Sequence, residues 1–202
     1  GVVSIITAGP SDEFTASADV TVAEMEEYAL RGTIAGPIAQ DLGFRLTGYN
    51  RSVGGHINNV FNGNDLNGTE NWGVRGKLEW TPGDARLTLI GDYSEIDSEC
   101  CAYVQVDAQS PFLSAVNDPV VTEGPENRDV NTSAPYANDS EAAGISLQAE
   151  FPIGNLTATS ITAWRSWDFL NNGDIDSTPD TTGTPSQLLA PVPNWPQVGT
   201  LN

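Results

Sequence analysis

The chain has 202 residues, enough for one domain or for part of something larger. Apolar residues make up 39%, with 20 Gly and 13 Pro, so a compact soluble core would be hard to fill. A membrane barrel escapes that limit, because lipid covers one face of each strand and a polar interior the other. The 27 acidic against 8 basic residues, a formal net charge of −19, argue against nucleic acid as a partner and against polybasic docking on anionic lipid.

Period-two alternation recurs along the chain, and helical periodicity is nearly absent. No run of 18 apolar residues occurs, so no membrane-spanning helix is expected. Without an initiator Met or a signal peptide at Gly1, the sequence reads as a mature or internal fragment. A first strand is predicted over Phe14 to Ala23, alternating small and polar residues. In the second, Tyr28, Leu30, Gly32, Ile34 and Gly36 alternate with Ala29, Arg31, Thr33 and Ala35. After the short connection at Ala39-Gln40-Asp41, Phe44, Leu46 and Gly48 alternate with Arg45, Thr47, Tyr49 and Arg51.

A long connection at about 53–71 follows. The clearest strand then places Trp72, Val74, Gly76, Leu78 and Trp80 on one face and Arg75, Lys77 and Glu79 on the other. The turn Thr81-Pro82-Gly83-Asp84 leads to a fifth strand, with Leu87, Leu89, Gly91 and Tyr93 opposite Arg86, Thr88, Ile90 and Asp92. A second long connection spans about 97–140. The sixth strand places Ala143, Ile145, Leu147, Ala149 and Phe151 on one face. After the turn Pro152-Ile153-Gly154-Asn155, a seventh runs from about Leu156 to Phe169, where Ile161 and Trp164 fall on opposite faces and leave the parity open.

Successive antiparallel strands put alternate connections at opposite ends. The three tight turns therefore share one end and the long connections the other, with the short early turn at Met25 to Glu27 as the exception. This segregation is the pattern of outer-membrane barrels, with short periplasmic turns and long extracellular loops. The aromatics sort likewise. Phe44, Trp80 and Phe151 lie beside the tight turns, and Tyr28, Trp72, Tyr93 and Trp164 toward the long loops, as two membrane interfaces would select. The expected fold is therefore all-β, an antiparallel meander forming part of a transmembrane outer-membrane β-barrel. A soluble β-sandwich would explain the strands but not the two aromatic girdles.

No catalytic constellation stands out, so an enzyme and an organic cofactor are not expected. His56, the only histidine, sits in a polar loop beside Gly54-Gly55 and reads as incidental. Two runs, Asn62-Gly63-Asn64-Asp65-Leu66-Asn67 and Asn171-Asn172-Gly173-Asp174-Ile175-Asp176, are rich in hard oxygen donors. They make Asn64, Asp65, Asp174 and Asp176 candidate calcium ligands, against the plainer reading of loop chemistry. The adjacent Cys100 and Cys101 either bridge each other, pair outside the chain or stay reduced.

Several segments resemble TonB-dependent outer-membrane receptors. Gly1-Val2-Val3-Ser4-Ile5-Ile6-Thr7 is similar to the last plug strand of that family, and Gly9 to Phe14 to the passage into the barrel. Tyr28 to Ile38 resembles its second barrel strand with the Gly-Pro turn, Leu42 to Arg51 its third, and Val74 to Pro82 its fourth. The resemblance implies a plug end and linker at 1–13, about seven barrel strands over 14–169, and an extracellular loop segment at 170–202. It implies outer-membrane lipid, the rest of the same barrel and plug, the TonB system and a small nutrient ligand as partners, in the outer membrane of a Gram-negative bacterium. The TonB box and most of the plug have no counterpart here. Arg31, Arg45, Arg51, Arg75, Lys77 and Glu79 would face the lumen, either contacting the plug or satisfying one another. The implied function is uptake of a scarce nutrient such as an iron–siderophore complex, a cobalamin or a glycan. The alternatives are a barrel-derived structural protein that assembles through its edge strands, or a soluble extracellular sandwich adhesin.

Overall fold

The computed structural model describes residues 6–107, 120–133, 135–174 and 178–179. Within them the chain is all-β, with ten strands and no helix. Seven form one antiparallel sheet: β1 (Thr15–Ala23), β2 (Glu27–Ala39), β3 (Leu42–Val53), β6 (Thr69–Trp80), β7 (Arg86–Ser98), β9 (Ala137–Ile153) and β10 (Leu156–Asn172). Their spatial order is β1-β2-β3-β6-β7-β9-β10, a meander in chain order. The three others, β4 (Ile57–Asn59), β5 (Asn64–Leu66) and β8 (Asp129–Val130), make a separate small sheet within the long connections. The seven strands do not divide into two packed sheets, so the sandwich alternative has no counterpart in this architecture. Nor is the sheet closed, since β1 and β10 are its edges among the described residues.

Turn chemistry explains one end of the sheet. The β6–β7 and β9–β10 connections contain Gly83 and Gly154, both at φ 62°, a left-handed conformation that costs glycine nothing. The β2–β3 turn is just Gln40-Asp41, and Asp41 O accepts the Thr81 amide at 2.8 Å, which ties neighbouring turns together. Pro37, unable to donate to a ladder, sits where the β2–β3 register slips between Pro37 and Ala39, so β2 continues past Gly36 through a bulge. At the other end the β1–β2 turn forces φ of 60° on Met25 and 52° on Glu26, held in part by the Gly54 amide on Met25 O at 2.9 Å.

The long connections differ from expectation. β6 begins at Thr69, β7 runs to Ser98 and β9 starts at Ala137, so the strands enter the predicted loops at 53–71 and 97–140. β10 likewise reaches Asn172, inside the segment expected to be loop from 170 onward. Beyond the strands, the connections fold into a cap. The β4–β5 hairpin and the β4–β8 parallel pair surround a small core of Ile57, Leu66, Ala102 and Val130, against which Val104 and Tyr136 pack. Asn59, 1% exposed, stitches the cap: its Nδ2 donates to Thr132 O at 2.9 Å, and its Oδ1 accepts from the amides of Phe61 and Thr132. Asn59→Ala is expected to cost the cap about 2–3 kcal/mol, because it strands buried backbone groups. Hydrogen exchange should rise at 57–66 and 129–132 and stay unchanged in β6 and β7; a uniform rise across the sheet would contradict an independently folded cap.

Candidate functional site

The register resolves two faces of opposite chemistry. On one, cross-strand rows such as Val20, Leu30, Asn50, Trp72, Glu95, Glu141 and Asp168 run near the long-connection end. Farther down, Phe44, Leu78, Leu89, Leu147 and Thr162 form one row, and Ile34, Leu46, Gly76, Gly91, Ile145 and Trp164 another. The register also fixes the parity that was open in β10. Trp164 shares the apolar face with Ile145, while Ile161 and Trp167 lie on the polar face. Among the described residues nothing packs on the apolar face. Val20, Leu30, Ile34, Leu46, Leu78, Leu89, Ile145 and Leu147 are all exposed, Ile145 at 52%. Soluble monomers rarely leave an apolar patch larger than roughly 300–600 Å².

All seven aromatics expected at membrane interfaces lie on this face, in two oblique lines. From β2 to β10 the upper line passes Tyr28, Trp72, Tyr93 and Trp164. Leu30 is in register with Asn50 and so with Trp72, which puts Tyr28 two residues above that row. The row reaches Glu95, two residues above Tyr93, and Asp168, four above Trp164. The line thus descends six residues (two plus four) over the five steps between β2 and β10. The lower line descends in the same sense. Trp80 is two residues below Phe44's row, and Phe151 two below Trp80's, which gives four residues over three steps. At about 3.3 Å per residue and about 4.8 Å between strands, either slope is an angle of about 40°. On β6 the lines are eight residues apart, from Trp72 to Trp80, or roughly 20 Å after that tilt. Trp72 and Tyr93 touch, with ring centroids 5.2 Å apart.

The polar face carries seven of the eight basic residues, all but Arg128. Three are ion-paired: Arg51 with Glu27 at 2.8 Å, Arg165 with Asp92 at 2.8 Å, and Arg86 with Glu150 at 4.0 Å. Arg165 reaches Asp92 by crossing over Gly144, where a Cβ would lie 2.8 Å from its guanidinium. Tyr49 similarly covers Gly73 and donates to Asn71 Oδ1 at 3.1 Å. A Cβ at Gly73 would sit 2.9 Å from the Tyr93 carbonyl, a backbone atom that cannot swing away. Gly73→Ala should therefore lower the unfolding midpoint far more than Gly76→Ala, whose nearest neighbour is a Leu46 methyl at 3.9 Å. Equal shifts would mean the close approach is absent.

The chain before β1 lies against this polar face. Lys77 Nζ donates to Thr7 O at 2.9 Å, Arg45 donates to Gly9 O at 3.3 Å, and Pro10 packs on Gly43. Ile6 to Glu13 has no regular structure, and residues 1–5 of the resemblance to a plug strand fall outside the described residues. Arg31, Arg45, Arg51, Arg75, Lys77 and Glu79 thus share one face, but no ion pair joins any two of them. Sequence reasoning did not foresee which carboxylates would pair, since the partners lie 24 to 73 positions apart in the chain.

The other candidates disperse. Asn64 and Asp65 belong to β5 and are exposed, Asp174 bonds to Thr132 Oγ1, and Asp176 lies outside the described residues. Among the described residues no three His, Cys, Asp or Glu side chains gather as metal ligands. His56 is exposed, and its amide donates to Leu66 O at the mouth of the β4–β5 hairpin. Cys100 and Cys101 are joined to each other in a disulfide at the foot of the cap. Next to them Asn67 grips Ala102 twice, by Nδ2 to its carbonyl at 3.1 Å and Oδ1 from its amide at 2.8 Å. No family model, curated protein or solved structure matches the chain.

Proposed function

We propose that the chain is part of a TonB-dependent outer-membrane receptor, and that its apolar face meets lipid while its polar face lines a lumen. The observation that carries this reading is the pair of parallel aromatic lines bounding an uncovered apolar face. Their slope of about 40° falls within the strand tilt of about 35–45° in outer-membrane barrels, and their separation approaches the apolar band of about 25 Å. In that setting the cap built from β4, β5 and β8 is the extracellular end. It is the natural place to meet a scarce nutrient such as an iron–siderophore complex, a cobalamin or a glycan. The segment around Thr7 and Gly9, hydrogen-bonded by Lys77 and Arg45, is the end of a plug leaving the lumen. The protein acts by binding and passage, not by catalysis.

Single-tryptophan variants folded in vesicles of lipids brominated at chosen depths test the membrane placement. Trp72, Trp80 and Trp164 should be quenched most by bromines near the headgroups, and Trp167, on the polar face, by none. Equal quenching of Trp164 and Trp167 would defeat the assignment of faces. Transport is tested separately: deleting the protein should abolish energy-dependent uptake of one nutrient class, and uptake that survives collapse of the proton gradient would overturn the TonB reading. The edges of β1 and β10, unpaired among the described residues, favour a second reading, a segment that assembles with other chains through those edges.

A further inference from the structure

Four cations on the polar face have no ion-pair partner among the described residues after its three ion pairs are counted: Arg31, Arg45, Arg75 and Lys77. All four line the same cavity, of about 480 Å³, walled on one side by Thr7 and Ala8. Arg45 and Lys77 stand directly opposite each other in register, a like-charge pair that is destabilising by itself. The carbonyls of Gly9 and Thr7 relieve it by accepting from Arg45 and Lys77, and the Glu79 carboxylate offsets the charge of Lys77. Arg31 and Arg75 have no hydrogen-bond or ion-pair partner among the described residues. The one carboxylate in the cavity wall, Asp92, lies opposite Arg75 in register but is bound to Arg165 at 2.8 Å. In a chain with a net charge of −19, half of all basic residues are thus gathered at one place with no ion-pair contact among the described residues. Their nearest acids are Asp19 opposite Arg31 in register, Asp92 opposite Arg75, and Glu79 two residues from Lys77.

We infer that this cavity is an oxyanion site, which takes a small molecule bearing carboxylate or phosphate groups between Arg31 and Arg75. Guanidinium forks match both groups by bidentate, charge-assisted hydrogen bonds. The volume lies in the range of about 300–1,000 Å³ usual for small-molecule pockets. Arg45 and Lys77 add positive potential from behind while their own donors hold the Thr7–Gly9 segment. The hydroxyls of Thr33 and Thr47, bonded to each other at 3.1 Å, line the wall between the two arginines. The four cations of this site all stand on the polar face, and the site does not depend on what covers the apolar one.

Calorimetric titration of the protein at low ionic strength, in detergent micelles or plain buffer as its solubility requires, tests it with pyrophosphate and citrate as probes. Saturable binding of either probe, weakening as salt is raised, is expected; which of the two binds assigns phosphate or carboxylate chemistry. The double variant Arg31→Gln/Arg75→Gln should weaken binding by roughly tenfold or more, while Arg86→Gln, on the same face but ion-paired outside the cavity, should leave it unchanged. Thr47→Glu keeps the test open should the double variant misfold. It sets a carboxylate in register with Arg75, and so should abolish binding by occupying the cations from within. Absence of saturable binding to both probes, or binding that survives in Thr47→Glu or the double variant, would overturn the site.

Discussion

In the lipid setting proposed above, an arginine at Leu89 is expected to destabilise the completed barrel by about 2–4 kcal/mol, whereas an arginine at the adjacent Thr88 should cost less than about 1 kcal/mol. The two positions differ by one residue along β7 and so face opposite ways. Leu89 lies four residues below Tyr93 in the upper aromatic line, while the lower line crosses β7 some three residues farther on, between Trp80 and Phe151. That places Leu89 close to the midplane, where a guanidinium has the longest path to water. Its cross-strand neighbours Leu78 and Leu147 are equally apolar and offer it no partner. Urea unfolding of the protein from vesicles measures both variants. Equal losses at Leu89 and Thr88 would remove the distinction between a lipid face and a wet face.

Taken alone in water, the 202-residue chain is expected to self-associate. β1 is exposed along all nine residues, and β10 along nearly all of its seventeen, so among the described residues both sheet edges offer long rows of backbone donors and acceptors without a strand partner. At membrane depth such edges are untenable, because lipid supplies no hydrogen bonds to them. The apolar face adds a second drive toward association. Light scattering coupled to size-exclusion chromatography should report oligomers or aggregate without detergent. A monodisperse monomer that melts cooperatively would contradict both the edge argument and the lipid face.

The seven-stranded meander was readable because each strand separates two chemistries at period two. The strand Trp72 to Trp80 would lose every contact of its apolar face on slipping by one residue. Strand ends were less legible. Asp97 and Ser98, or Asn138 and Asp139, are polar on both faces, so alternation fades before the ladder does. β4, β5 and β8, at two or three residues each, are too short to show any period. Their core is assembled from Ile57, Leu66, Ala102 and Val130, which are spread over 74 residues. Asn59 and Asn67 read as ordinary loop residues, yet one is buried and both substitute for backbone partners. In β10 the aromatics Trp164 and Trp167 stand on opposite faces, and only pairing with β9 separates them. The charges of the polar face were visible as a group. Their sorting into three ion-paired cations and four with no ion pair among the described residues depends on geometry across strands.

The oblique course of the aromatic lines also bears on size. A sheet that closes on itself must accumulate an even offset around the ring, since an odd one would turn the apolar face inward at the seam. The upper line drops six residues in five steps, or about 1.2 residues per strand. At that rate the 22 strands of plugged transporters would gather a shear of roughly 26, and an eight-stranded ring roughly 10. Whichever strand completes the edge of β10 inherits the same rule. Its interface aromatic should stand either in register with Trp164 or two residues nearer the tight turns, since a one-residue offset would turn it to the polar face.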